Sequence, residues 1–97
     1  MPEFVGGMSA LMRYLSTNIR YPYSAQRKKI EGRVVVGFIV DKTGKVRKVE
    51  IMKSLNRACD KEAVRVVRKM PPWNPGMQDG KPVSTKFSLP ILFTLPN

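Results

Sequence analysis

A long alternating stretch near the C-terminus, Val83–Leu95, constrains the fold more than any other part of the sequence. Hydrophobic residues occupy most of its odd positions and polar residues most of its even ones, which is the two-residue period of a β-strand with one buried face. At about 3.3 Å per residue such a strand would extend roughly 40 Å, well beyond the usual strand length. Pro90 lies in its middle and lacks a backbone donor, and prolines in sheets are largely confined to edges, strand starts and bulges. The sequence therefore predicts a long edge strand with part of its backbone unpaired.

The composition indicates one small basic domain. Ninety-seven residues with 42% hydrophobic content suffice for a single core, so we expect one domain over residues 1–97. The net charge of +11 favours an acidic partner, which is a nucleic acid, an anionic membrane surface or a carboxylate-bearing peptide. The chain has one cysteine, Cys59, and no histidine, which excludes multi-Cys/His zinc sites and Ser-His or Cys-His catalytic pairs. We predict no catalytic, cofactor-binding or metal-ligating residue, and we interpret Cys59 as a core residue.

The chain up to residue 29 predicts a helix that begins at Met8 and ends by about Ile19 or Arg20, followed by a short helical segment. Hydrophobic residues recur at three- and four-residue spacing, and Tyr21-Pro22 ends the pattern because the residue before a proline is displaced from the helical region. A weaker helical segment is predicted at 23–29. The stripe expected to face the core is Met8, Leu11, Met12, Leu15 and Ile19.

Two strands, a second long helix and a loop are predicted before the last strand. Arg33–Val40 and Lys45–Met52 are joined by the turn Asp41-Lys42-Thr43-Gly44 and form an antiparallel hairpin. A helix over Cys59–Met70 carries an apolar stripe and ends at two prolines. Trp73 is expected to cap one end of the core, and Met77–Pro82 to form a polar loop. The order predicts an α+β fold, in which two helices pack on one face of a three-stranded antiparallel sheet (α-β-β-α-β).

Several of these residues resemble the TonB C-terminal domain family. The resemblance begins with Tyr21-Pro22 and continues through the first hairpin to the closing Ile91-Leu92-Phe93, so it covers essentially the whole chain. The lead-in Met1-Pro2-Glu3-Phe4 with Gly6-Gly7 is similar to that of the Bacteroidetes branch. The other matching residues are Ala25-Gln26, Ile30-Glu31-Gly32, Val34, Val40 to Gly44, Val46, Trp73 and Pro75-Gly76.

This resemblance implies the periplasmic end of an inner-membrane energy transducer, excised from a longer chain with an N-terminal membrane helix and a Pro-rich linker. Family members bind the short TonB box of outer-membrane transporters by pairing it with the last strand. They transmit energy from the proton-motive force harvested by ExbB and ExbD, and substrates such as siderophores, vitamin B12 or glycans do not touch the domain. The expected site is Lys86, Phe87, Ser88, Leu89, Pro90, Ile91, Leu92, Phe93, Thr94 and Leu95, with secondary contacts from Asn18, Ile19 and Arg20.

Three alternatives remain open from the sequence. The charge is compatible with a nucleic-acid-binding module, although the basic residues are dispersed and no aromatic stacking platform is evident, so no nucleic-acid partner is expected. The same domain type occurs in membrane sensors and peptidases, where the chemistry would belong to another part of the protein. An open edge also allows two copies to pair their last strands as a homodimer. It is also open whether Pro90 divides the last strand into a core-facing half and a partner-binding half.

Overall fold

The structure, a computed structural model, describes residues 2–95 and contains a three-stranded antiparallel sheet covered by helices on one face. The strand order in the sheet is β2 (Val46–Lys53), β1 (Gly32–Val40) and β5 (Thr85–Phe93), and β3 (Gly76–Gln78) and β4 (Lys81–Val83) form a separate small hairpin. The predicted α+β fold is confirmed. The elements are α1 (Gly7–Asn18), α2 (Tyr23–Arg27), β1 (Gly32–Val40), β2 (Val46–Lys53), α3 (Arg57–Arg68), β3 (Gly76–Gln78), β4 (Lys81–Val83) and β5 (Thr85–Phe93).

The core lies between one face of the sheet and the helices. Every second side chain of β1 is buried on that face, since successive side chains of a strand point to opposite sides. Helix α3 packs on β1 and β2 through a stripe at helical spacing. Its N-cap is Asn56, whose side-chain oxygen accepts a hydrogen bond from the Cys59 amide at 2.8 Å. Cys59 is fully buried, as expected. The buried strand and helix residues are Val34, Val36, Phe38, Val40, Cys59, Ala63, Val66 and Val67.

Helix α1 presents a different face to the core than the sequence predicts. Leu11 and Leu15 are buried, but Met8 and Met12 are 66% and 56% exposed. The helix is held instead by Tyr14, whose hydroxyl donates to the Val66 carbonyl at 2.9 Å. The predicted stripe is therefore wrong at its two methionines, because the contact with α3 rotates the helix toward Tyr14.

The segment before the last strand is a hairpin, although the sequence predicts a polar loop at Met77–Pro82. Strands β3 and β4 pair antiparallel, and the two residues between them, Asp79 and Gly80, have φ angles of 52° and 77°. Two consecutive positive φ angles are typical of the type I′ turn, which joins strands most tightly. The predicted single strand Val83–Leu95 is consequently wrong at its start, because Val83 pairs with Gly76 and β5 begins at Thr85.

Aromatic side chains close one end of the core around Trp73. This residue is 4% exposed, and its ring centroid lies 5.2–5.6 Å from those of Phe4, Phe38 and Phe87. Such distances and inclined ring planes are favourable for aromatic pairs. The prediction that Trp73 caps the core is confirmed.

The turn between β1 and β2 is docked against the Trp73 segment. The Gly44 carbonyl accepts a hydrogen bond from the Trp73 amide at 2.7 Å, and Gly44 has a φ of +89°. The Asp41 carboxylate organises the turn by accepting from the Thr43 and Lys45 amides at 2.8 and 3.0 Å. Side-chain hydrogen bonds from Thr43 and Arg47 hold the pKa of Asp41 well below its ordinary value.

Two further findings concern the part of the chain from residue 2 to 95. No helix there is long and apolar enough to cross a membrane. The same residues contain no group of three or more His, Cys, Asp and Glu side chains placed to hold a metal ion.

Candidate functional site

The candidate site is the outer edge of β5. Among residues 2–95, β5 pairs only with β1, so its other side is an edge of the sheet. The pairing runs without a register shift from Thr85 opposite Val40 to Phe93 opposite Gly32, and it includes Pro90 opposite Val35. Pro90 therefore does not divide the strand into two halves.

Two hydrogen bonds establish which backbone groups of β5 face the open edge. The Asp41 amide donates to the Lys45 carbonyl at 2.9 Å, so odd residues of β1 point to β2 and even ones to β5. The Leu95 amide donates to the Glu31 carboxylate at 2.7 Å, which places odd residues of β5 on the β1 side. Because backbone groups alternate along a strand, the even residues direct their N–H and C=O groups outward. These residues are Lys86, Ser88, Pro90 and Leu92.

Pro90 leaves one gap in this outward row. Its nitrogen carries no hydrogen, and the register shows that it faces the open edge rather than the ladder with β1. The edge thus offers three outward donors between residues 86 and 92, together with the carbonyl oxygens of all four outward residues. A proline is tolerated at this position because β1 makes no use of its nitrogen.

The ten residues predicted on the last strand separate into two sets. Lys86, Ser88, Pro90, Leu92 and Thr94 are exposed, and Leu92 is 67% exposed. The second set is buried or half-buried, and its backbone N–H and C=O groups point to the β1 side. This second set is Phe87, Leu89, Ile91, Phe93 and Leu95.

The opposite edge of the sheet, β2, is irregular. Its register with β1 shifts between Val35 and Val36 and again between Gly37 and Ile39, and each shift adds one residue to β2. Lys48, within the second bulge, has a φ of 51°. Bulges and charged residues are the usual means of blunting a sheet edge. The straight edge of β5 is therefore the one suited to pairing with another chain.

The predicted secondary segment, Asn18–Arg20, is held in place by an ion pair on α3. Glu62 accepts a hydrogen bond from the Arg20 amide at 2.6 Å, and Arg65 donates to the Asn18 carbonyl at 3.0 Å. The two side chains also bind each other through two contacts of 2.7 Å. Burial opposes the charged form of Glu62, but hydrogen bonds from Arg65 and Arg20 outweigh it and lower its pKa.

The ion pair was missed by the sequence analysis. The only available signal was the three-residue spacing of opposite charges on one helix, which predicts a contact along α3. Nothing in that spacing indicates that the pair reaches across to the end of α1.

The secondary segment lies next to the C-terminal end of β5. The ring of Tyr21 contacts that of Phe93 edge-on, with centroids 5.5 Å apart, and the Tyr21 hydroxyl donates to the Ile30 carbonyl. Ile19 is half-buried against the same core, whereas Asn18 and Arg20 are exposed. The predicted secondary segment thus lies near the C-terminal end of β5.

The outer sheet face carries no aromatic side chain within the described residues. Of the aromatic residues in that part of the chain, only Tyr23 is largely exposed, at 74%, and it lies on α2. RNA-binding sheets stack bases on exposed aromatic rings. This face lacks that chemistry despite the basic charge of the chain.

Comparison with known proteins agrees with the geometry. Residues 17–95 match the family model described as Gram-negative bacterial TonB protein C-terminal. A search of curated proteins gives no match. Similar solved structures include the Helicobacter pylori TonB C-terminal domain (residues 194–285), with 23% identity, coverage of 89% of this chain and 90% of that chain, and a TM-score of 0.66.

Two further solved structures are similar to the chain. A longer Helicobacter pylori fragment (residues 179–285) has 24% identity, coverage of 89% and 78% of the two chains, and a TM-score of 0.65. The Pseudomonas aeruginosa TonB C-terminal domain has 25% identity, coverage of 81% and 80%, and a TM-score of 0.64.

Proposed function

The chain belongs to the family of Gram-negative bacterial TonB protein C-terminal domains, and from that premise we propose that it is the periplasmic partner-binding module of a TonB-type energy transducer. It captures the TonB box of outer-membrane transporters by adding the box as a fourth strand to β5. The observation that carries this proposal is the straight, unpaired edge of a nine-residue strand beside a bulged opposite edge. The domain contributes binding and mechanical coupling rather than catalysis.

Strand addition is supported by the outward groups of β5. An extended peptide gains affinity from main-chain hydrogen bonds and specificity from alternate side chains. Each bond contributes about 0.5–1.5 kcal/mol net, while ordering each peptide residue costs about 1–2 kcal/mol, so the isolated peptide binds weakly. Lys86 also attracts an acidic residue in or near the box, although such a surface pair contributes at most about 1 kcal/mol. Weak binding suits a partner that must be released.

Force transmission is supported by the position of β1. β5 pairs with this central strand along its whole length, and β1 in turn pairs with β2. A load applied along the strands is therefore shared by many hydrogen bonds at once. We propose that the load originates at ExbB and ExbD and reaches the domain through an inner-membrane anchor and linker.

The Asn18–Arg20 segment is proposed as a second contact with the transporter. It lies beside the end of β5 through the Tyr21–Phe93 contact, and Glu62 and Arg65 fix its backbone.

The proposal is tested by titrating the isotope-labelled domain with a seven-residue TonB-box peptide and following the backbone amides by NMR. Strand addition predicts the largest shifts at the outward donors Lys86, Ser88 and Leu92. Two control peptides carry N-methyl groups, one on the odd and the other on the even residues. Only every second guest amide faces β5, so one of these peptides should not bind and the other should bind as the unmodified peptide does. Shifts confined to α3, or none at millimolar peptide, would refute the proposal.

A further inference from the structure

A groove of about 430 Å³ lies on the outer face of the sheet, next to the open edge. Its floor is the backbone of β1 at Gly37, and its walls are side chains of the two flanking strands. On the β5 side the wall is Ser88 and Lys86, and on the β2 side it is Met52 and Glu50. The groove therefore reaches from the centre of the sheet to the strand that a guest would join.

The groove exists because two small residues, Ser88 and Gly37, lie side by side on adjacent strands. Ser88 of β5 pairs with Gly37 of β1, and Gly37 pairs with Glu50 of β2. A Cβ atom at Gly37 would lie 2.9 Å from Met52 Cγ and 3.0 Å from its sulfur, so the methionine leans over the glycine. Met52 is 61% exposed, and its flexible thioether forms an adaptable wall.

A guest strand would place one side chain directly beside this pair of residues. It would lie about 4.8 Å from β5, and its residue opposite Ser88 would point to the same outer face. Gly37 is then roughly 10 Å from that guest residue, across two strand spacings. Only a long side chain reaches over the small Ser88 toward the Met52 side chain that covers the glycine.

We propose that this groove receives a large aromatic side chain of the guest strand, at the position that faces Ser88. Met52 already covers Gly37, so the ring would pack against the methionine thioether. Methionine sulfur and lysine ammonium groups both interact favourably with aromatic rings, and the groove offers Met52, Lys86 and Lys48. The inference rests on strand addition at β5 and adds a side-chain preference to it.

The test uses host heptapeptides in which one position at a time is Ala, Leu or Tyr, with dissociation constants measured by NMR titration. One position should show a gain of about tenfold from Ala to Tyr, which corresponds to about 1.4 kcal/mol, with Leu in between. In the Ser88→Phe variant, the new ring fills the groove and should reduce that gain to about twofold or less.

Leu92→Phe is the matched control, since it adds the same ring at another outward position of β5 away from the groove. The Tyr gain should persist in this variant. If the peptides bind at the β5 edge but size has no effect at any position, or if Ser88→Phe leaves the gain intact, the aromatic groove is refuted while strand addition stands. If no peptide shifts the edge amides, strand addition itself fails, and this inference fails with it.

Discussion

Replacing Pro90 with valine tests the proposed orientation of β5 directly. The register places the Pro90 nitrogen on the open edge, so valine adds a fourth outward donor to those of Lys86, Ser88 and Leu92. One additional main-chain bond contributes about 0.5–1.5 kcal/mol, which is a factor of about two to twelve in affinity. We expect the Pro90→Val variant to bind a TonB-box peptide more tightly by that factor.

The stability of the free domain should change little in this variant. The ladder between β5 and β1 does not use the nitrogen of residue 90, and the side chain is exposed. Removing a proline increases the entropy of the unfolded chain and costs about 0.4–1 kcal/mol, while valine suits a strand. Urea denaturation should therefore give free energies of unfolding within about 1 kcal/mol of each other.

Leu92→Pro is the control, and its expected effect on peptide affinity is opposite to that of Pro90→Val. It removes an outward donor from the same edge and should weaken peptide binding by the same factor of about two to twelve. Peptide affinity is measured by fluorescence anisotropy with a labelled seven-residue peptide. The orientation of β5 is refuted if the peptide binds but neither substitution changes its dissociation constant, or if Leu92→Pro unfolds the domain.

Three further predictions concern the fold. In urea denaturation, Gly44→Ala should lower the free energy of unfolding by about 3 kcal/mol or more, and Gly80→Ala by only about 1–2 kcal/mol. Both glycines have positive φ angles, but a Cβ at Gly44 would lie 2.1 Å from a backbone oxygen, whereas one at Gly80 would meet nothing within 4 Å. Equal costs would contradict the docking of the turn. Because the pKa of Asp41 is lowered in the folded state, its carboxylate stabilises the fold at pH values above the ordinary carboxyl pKa, and this stability is lost as the pH falls toward the lowered pKa. Below about pH 4, the free energy of unfolding of the wild type should therefore fall more steeply than that of Asp41→Asn. Parallel pH profiles would exclude this role. Glu62→Gln should cost about 1 kcal/mol and accelerate hydrogen exchange of the Arg20 amide that Glu62 accepts from; unchanged exchange would show that the ion pair does not hold this segment.

The first hairpin and α3 were predictable because their signals are local. Strand β1 extends over Gly32–Val40 against a prediction of Arg33–Val40, and the turn at Asp41–Gly44 follows from its sequence. An uninterrupted β-branched run and an amphipathic stripe specify their own structure without reference to the rest of the chain. These elements needed no tertiary information.

Helix α1 shows where local signals fail. Its hydrophobic residues surround much of the helix, so periodicity alone does not decide which of them face the core. The contact of Tyr14 with Val66, and of its ring with Phe4 at 5.8 Å, selects the buried face and leaves Met8 and Met12 in solvent. The contact with Val66 joins residues that are 52 positions apart in the sequence.

In the candidate site, too, some features follow from the local sequence and others depend on the neighbouring strands. Alternation along the last stretch correctly separates buried side chains from exposed ones in β5, but it does not show which strand each segment pairs with. Val83, for example, pairs in a hairpin with Gly76 rather than continuing β5, and the Asp79-Gly80 turn signal of that hairpin was overlooked. Which backbone groups of β5 face outward depends on the neighbouring strand, and it followed only from the hydrogen bonds of Asp41 and Leu95.

The position of Pro90 distinguishes a guest strand from a second copy of this chain. If two copies paired their β5 edges antiparallel, both prolines would lie within the paired segments in any long register. Such a homodimer would lose two hydrogen bonds, whereas a guest strand without proline loses one. At about 0.5–1.5 kcal/mol per bond, the proline costs the homodimer about that much more than it costs the complex with a guest. An open edge must remain accessible to its partner without pairing with a second copy of the same edge. A proline whose nitrogen faces outward favours guest binding over self-association, because it removes one hydrogen bond from the complex with a guest and two from the homodimer. We therefore propose that a homodimer through β5 is the weaker use of this edge, and that Pro90→Val should strengthen self-association more than it strengthens guest binding.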